Sequence, residues 1–322
     1  MTKSEIKPLR IVTTYQFEPE EVERIRAAAG VPLEIAICRD RAEFRARLPE
    51  ADAVYGDLRG DELPLATRLR WFHAGAAGLD DLDPALFASP IPLTNFAGTF
   101  APAIAETAMG MLLALTRGIA RYYVPQFLKR TWNPIGTMKS PDHTEIAGLT
   151  MGIAGMGGIG RAVAGAAHYG FGMRVVGTDD RPESKPEFVA ELHSPSWFHE
   201  MVAQADVLVA AAPLTPATRG MFNEDVFRRM KTTAIFLALS RGRLFDDMAL
   251  VRALRDGWIA GAGLDVFWEE PPDPEDPIFR YNVLATPHIA GSTDVSIRNI
   301  VQVAAENIRR LEKGLEPLHI KN

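Results

Sequence analysis

A chain of 322 residues, 47% hydrophobic and 24% charged, is long enough for two ordinary domains and apolar enough to bury a core in each. Its formal net charge of −6 leaves no broad basic field, which argues against a nucleic-acid partner and against an anionic membrane surface. Its single cysteine, Cys38, excludes an internal disulfide and a cysteine-built zinc cage.

The N-terminus MTKSEIKPLR carries charges with no apolar stretch behind them, so no secretory signal is visible. The best apolar candidate, Thr107 to Thr116, falls short of the roughly 18 residues of a membrane span. A soluble, cytoplasmic protein without a membrane partner is the expectation.

From residue 9 to 95, short apolar runs alternate with helical patterns. Ile11 to Thr14, Leu33 to Cys38, Ala51 to Gly56, Arg70 to Ala74 and Ile91 to Asn95 read as strands. Pro19 to Ala29, stopped by Gly30, reads as a helix, as do Arg41 to Leu48 and Pro64 to Leu69. Repeated βα units predict a parallel sheet covered by helices. Within this series the loop from His73 to Asp80, HAGAAGLD, follows a strand. It is either a plain tight turn or an exposed row of N–H groups that holds an anion, and the stretch alone does not choose.

Ala101 to Arg117 is apolar on most faces and is expected to be a helix buried between domains. Gly118 to Glu145 shows no clean periodicity and reads as a connector or interface arm. Next comes LTMGIAGMGGIG. Met151 to Ala154 is a buried strand, and Gly155, Gly157 and Gly160 give GxGxxG at the turn into a helix over Arg161 to Tyr169. The first glycine permits the tight turn, the second lets a pyrophosphate approach the backbone, and the third lets helix and strand pack closely; Met156, Gly158 and Ile159 complete the loop. Met173 to Thr178 is the next strand, and Asp179 stands at its end about 20 residues on, where an acid accepts from an adenosine ribose. Read alone Asp179 is also an ordinary solvated turn residue; the ordered strand, turn, helix, strand and acid favour a dinucleotide site.

Asp206 to Ala212, Ala234 to Leu239, Ile259 to Val266 and Val283 to Thr286 follow as strands, with a helix over Asp246 to Asp256. The long helix Val295 to Glu312 has no strand after it and is expected to return to the first domain, making that domain discontinuous. The fold expected is α/β, with two Rossmann-like, doubly wound parallel-sheet domains.

Arg241, Glu270 and His288 each stand just beyond a strand of the second domain, and in a parallel sheet such positions open on the edge that carries the Gly155 turn. Hydride chemistry on a carbonyl needs such a set. A histidine, with an ordinary pKa near neutrality, protonates the oxygen; a carboxylate holds its productive tautomer; an arginine binds a carboxylate or carbonyl oxygen. Each residue alone has a plain structural explanation, but three at strand ends of one domain favour chemistry. The remaining histidines show no ligand spacing, so no metal site is expected.

GMGGIG, PLTPATRGMFNEDVFRRMK, SRG, GAGLDVFWEEPP and TPHIAG together resemble the D-isomer-specific 2-hydroxyacid dehydrogenases, relatives of glyoxylate/hydroxypyruvate reductases and phosphoglycerate dehydrogenase. The resemblance covers nearly the whole chain. It implies an NAD(P)-dependent enzyme that interconverts a small 2-keto acid and a D-2-hydroxy acid. In it Arg241 anchors substrate, Glu270 partners the base and His288 is the general acid/base. The backbone of Ala76, Ala77 and Gly78 would hold the substrate carboxylate. Cofactor contacts would come from Ala212, Pro213, Leu239, Asp265, His288 and Gly291 besides the glycine turn. The implied plan is a substrate domain of residues 1–99 and 290–322, a nucleotide domain of residues 100–289, and a homodimer through the latter.

Two positions depart from the pattern of many members: Ala238 and Phe100 stand where asparagine is common, which implies a more apolar pocket wall. The family also includes corepressors that sense NAD without needing turnover, which leaves a binding protein as the alternative. Asp179 favours NAD, since it would accept from both ribose hydroxyls and repel a 2′-phosphate, while Arg181 could serve NADP if turned toward the ribose.

Overall fold

The computed structural model describes residues 8–134, 136–137, 140–141 and 143–321. The chain divides into two compact units, one running to Phe100 and resuming at Thr293, the other Ala101–Ser292.

The first unit runs β1 (Leu9–Thr13), α1 (Pro19–Ala29), β2 (Leu33–Ile37), α2 (Arg41–Arg47), β3 (Ala53–Gly56), β4 (Trp71–Ala74), α3 (Pro84–Phe87) and β5 (Leu93–Thr94). All neighbours in its sheet, ordered β2-β1-β3-β4-β5, are parallel. Helix α1 begins with Pro19 at its first turn, where a missing N–H costs nothing, and stops at Gly30, whose φ of 66° suits a residue without a β-carbon. Asp40 caps α2 by accepting from Glu43 N. One face of the sheet buries Val12, Val54 and Phe72 against Phe44, Leu48 and Leu86, side chains worth about 1.5–3 kcal/mol each when fully buried.

The helix expected over Pro64 to Leu69 is absent. A 3₁₀ segment, Gly60–Leu65, stands earlier and ends as Ala66 leaves helical geometry. Glu62, buried within it, receives the Arg41 guanidinium of α2 on both carboxylate oxygens, and this pairing sets the turn upstream of Pro64.

The second unit begins with α4 (Ala101–Thr116), a π-helical turn Ile119–Tyr123 and α5 (Val124–Leu128), so the segment read as a connector opens helically. A ribbon of β6 (Gly136–Thr137) and β7 (Ser140–Pro141) follows. Then come β8 (Thr150–Ala154), α6 (Gly158–Gly165), β9 (Arg174–Thr178), β10 (Glu191–His193), α7 (Phe198–Gln204), β11 (Val207–Ala210), α8 (Glu224–Arg229), β12 (Ile235–Ala238), α9 (Asp247–Arg255), β13 (Gly261–Leu264) and β14 (Val283–Ala285). The sheet order is β10-β9-β8-β11-β12-β13-β14, parallel throughout, with the order reversing between β8 and β11. Both sheet faces are covered, which is why β11 and β12 read as continuous apolar runs. In the core, Phe227 and Phe245 each meet the Phe236 ring edge-on and Phe222 meets it tilted. β10, α7 and α8 stand where the sequence reading places no element.

The last helix, α10 (Asp294–Glu312), lies against α1 in the first unit. Val301, Ala304, Ala305 and Ile308 bury against Ile25 and Ala29, and Arg309 Nη2 donates to the Ala28 carbonyl at 2.9 Å. Among the described residues no single helix is long and apolar enough to cross a membrane; α4 with the segment Ile119–Leu128 passes by length and composition but is bent by 64°. Nine residues of α4 are buried.

Candidate active site

Because every strand of the larger sheet is parallel, the loops after β8, β9, β11, β12, β13 and β14 leave from one edge. This edge carries the glycine turn, Asp179, Pro213, Arg241, Glu270 and His288. At the turn, Gly155 has φ +93°, and a β-carbon there would overlap Ala212 of the neighbouring strand's loop; one on Gly160 would overlap the Gly155 carbonyl oxygen. A β-carbon on Gly157, by contrast, meets nothing within 4 Å. That opening lies at the start of α6, where unpaired N–H groups and the helix dipole favour phosphate. The residues therefore fit a dinucleotide pyrophosphate.

Asp179 is held by backbone: Oδ2 accepts from Met156 N at 2.8 Å and Oδ1 from Arg181 N at 3.0 Å. Arg161, the first residue after the glycine motif, ties the following loop by donating to Ser184 O and Oγ, while Ser184 Oγ donates to Arg181 O. The Ala212 carbonyl accepts from Ser240 Oγ at 2.9 Å and that of Pro213 from Thr218 Oγ1 at 2.7 Å. Leu239 is buried and its N–H donates to Ala210 O.

The His288 and Glu270 side chains meet: Nδ1 and Oε2 lie 2.7 Å apart. A carboxylate only accepts, so the proton of the imidazole stands on Nδ1 and Nε2 is left for exchange. Glu270 Oε1 accepts from Phe267 N at 3.0 Å, which fixes the carboxylate's other end. Side-chain exposures of 44% and 37% leave the pair open to a ligand. Phe267, Pro271, Phe279 and Pro287 wall a cavity of about 370 Å³ whose lining includes both residues. Arg241 begins a 3₁₀ turn after β12, and its Nη1 donates to its neighbour's carbonyl, Ser240 O, at 2.7 Å. Gly242 brings this turn against the backbone of Phe267 and Trp268, where a β-carbon would overlap the Phe267 carbonyl. The loops bearing Arg241 and Glu270 are thus in direct contact.

In the first unit, β4 ends in the loop of Ala76, Ala77 and Gly78. Gly75 N donates to Gly56 O at 3.0 Å, and the Ala77 carbonyl accepts from Asn95 Nδ2 at 2.5 Å. The N–H groups of Ala76, Ala77 and Gly78 donate to no described residue, and both alanines are exposed. Such a row can receive a carboxylate. Behind it, His73 is buried among Tyr55, Trp71 and Phe96, with Nδ1 2.7 Å from Thr94 Oγ1. Burial pushes its pKa down to about 3.

Asp265 carries more than the sequence reading gives it. It is 2% exposed, and its Oδ1 accepts from Thr286 Oγ1, Ile289 N and Ala290 N. Asn95, Arg161 and Ser240 are bracing residues that the reading does not single out; only their position after strands or after the glycine motif could have signalled them. Among the described residues no group of three or more His, Cys, Asp or Glu could hold a metal ion.

A profile of the D-isomer specific 2-hydroxyacid dehydrogenase NAD binding domain matches residues 109–290. A glyoxylate reductase of Aeropyrum pernix is 35% identical over 287 residues, 85% of this chain and 83% of that protein. One from Korarchaeum cryptofilum is 35% identical over 264 residues, 80% and 77% of the two chains. The crystal structure of an NADPH-dependent glyoxylate/hydroxypyruvate reductase from Sinorhizobium meliloti, in complex with NADP and sulfate, superposes with a TM-score of 0.81 at 29% identity, covering 98% of each chain.

Proposed function

Because the chain belongs to the D-isomer specific 2-hydroxyacid dehydrogenases and is an NAD(P)-dependent oxidoreductase acting between a keto acid and its alcohol, we propose that it reduces a small 2-keto acid to the D-2-hydroxy acid, or the reverse, with His288 as general acid/base. The observation that supports this most is the His288 to Glu270 hydrogen bond of 2.7 Å at the sheet edge that also carries the open glycine turn.

A bound nicotinamide cofactor supplies or accepts the hydride. The chain's own residues do the rest. Arg241 anchors the substrate by charge-assisted hydrogen bonds, and in the first unit the N–H groups of Ala76, Ala77 and Gly78 form a carboxylate-binding loop. His288 donates a proton from Nε2 to the carbonyl oxygen during reduction, and Glu270 keeps Nδ1–H in place and stabilises the imidazolium form. Gly155, Met156, Gly157, Gly158, Ile159 and Gly160 cradle the pyrophosphate. Asp179 takes the ribose hydroxyls and favours NAD, with Arg181 beside it as the cation that would let NADP enter. In this reading the first unit binds substrate and the second binds cofactor. The second also forms a homodimer through the arm bearing Phe127, Leu128 and Trp132, which are 74%, 78% and 86% exposed.

The glyoxylate and glyoxylate/hydroxypyruvate reductases to which the chain is similar make these two acids the first to try. Oxidation of NADH and of NADPH is followed at saturating cofactor with glyoxylate, hydroxypyruvate, pyruvate, phenylpyruvate and 2-ketogluconate. Turnover with at least one, giving the D product, is expected; silence with all, while either cofactor still raises the melting temperature, would contradict the proposal and favour a sensing role.

A further inference from the structure

We infer that Asp265 is a positioning residue for the base: its Oδ1 clamps the chain on both sides of His288 and so holds the imidazole against Glu270. The inference rests on His288 being the general acid/base, and it concerns an oxygen turned to the protein rather than to a ligand.

Asp265 stands one residue beyond β13, where its own N–H donates to Ala238 O at 2.9 Å and anchors it to β12. From there Oδ1 receives three donors: Thr286 Oγ1 at 2.7 Å, Ile289 N at 2.9 Å and Ala290 N at 3.0 Å. These donors lie two residues before, one after and two after His288. Between them His288 adopts φ +53°, in the left-handed region that is unfavourable for any residue with a β-carbon, and its N–H closes a tight turn onto Thr286 O at 3.0 Å. Such a conformation persists only where its surroundings over-determine it. The three bonds to one buried anion do so, because releasing the turn would leave that charge without partners.

The same loop reaches Glu270 from the other side. Phe267, two residues after Asp265, donates its N–H to Glu270 Oε1. Asp265 therefore holds the imidazole through the turn, while the backbone two residues beyond it holds the carboxylate. Oδ2 bonds no described residue and is left for a ligand, so the two oxygens have separate tasks.

The experiment compares D265A, D265N and T286A with the unaltered protein. Asparagine keeps an acceptor where Oδ1 stands; alanine keeps none. The readouts are kcat on the best keto acid of the panel, the NADH dissociation constant by fluorescence, and the downfield proton resonance of His288 Nδ1–H. D265A is expected to lower kcat at least 100-fold and to lose the resonance. D265N is expected to keep the resonance and recover at least tenfold in kcat over D265A. T286A removes one of the three donors and serves where D265A fails to fold; it is expected to lower kcat about fivefold with NADH affinity unchanged. A resonance retained in D265A, a D265N variant no better than D265A, or T286A with unaltered kcat would overturn the clamp. Were the unaltered protein silent on every keto acid, the function would fail, while the resonance in D265A and D265N would still decide the clamp.

Discussion

Gly242 and the carbonyl oxygen of Phe267 touch without space for a β-carbon between them, so the loops that carry Arg241 and Glu270 meet through bare backbone. Replacing Gly242 by alanine must push one loop away. Overpacking of this kind costs about 3 kcal/mol, and here the obstructing atom is backbone, which yields less readily than a side chain. Urea unfolding of G242A should show that loss, together with a drop in turnover larger than instability explains.

Gly157 predicts the opposite pattern. Its missing β-carbon faces open space, so G157A should fold with an unchanged melting temperature while a methyl group blocks the pyrophosphate's approach. NADH affinity should fall at least tenfold by fluorescence titration. Unaltered affinity would place the pyrophosphate elsewhere.

Buried His73 makes stability depend on pH. Its folded pKa of about 3 lies below the ordinary 6.5, so the unfolded chain binds the proton first as pH falls. The stability present above pH 6.5 is lost progressively between there and about 3, at up to about 1.4 kcal/mol per pH unit. Urea unfolding from pH 7 to 4 should show a slope that is shallower by roughly one proton in H73L.

Phe127, Leu128 and Trp132 form an apolar arm on the second unit. Light scattering should give twice the chain mass for the unaltered protein and the single-chain mass for L128E/W132E. A monomer in both would contradict the dimer.

Much of the fold and the placing of the candidate site were legible in the sequence for a physical reason: buried parallel strands are apolar runs, and the candidate residues stand in the loops that follow them. Arg241, Glu270, His288 and the glycine turn each stand beside such a run. Helices α7 and α8, of seven and six residues, are too short to show a period, and α8 depends on a cap in which Asn223 accepts from Val226 N. The helix expected over Pro64 to Leu69 gives way to a 3₁₀ turn that starts at Gly60, because Glu62 answers to Arg41, 21 residues away. The resemblance implies Asp265 only as a cofactor contact; nothing in GAGLDVFWEEPP discloses that Thr286, Ile289 and Ala290 also converge on it. Tertiary partners of a single oxygen leave no local pattern.

The most direct test of the account is turnover of H288A at saturating keto acid and cofactor, with the cofactor dissociation constant measured beside it. Loss of the general acid is expected to lower kcat by about 10²–10⁴-fold with cofactor affinity within a factor of three. Turnover like that of the unaltered protein would contradict the assignment of His288, and with it the mechanism built on its bond to Glu270.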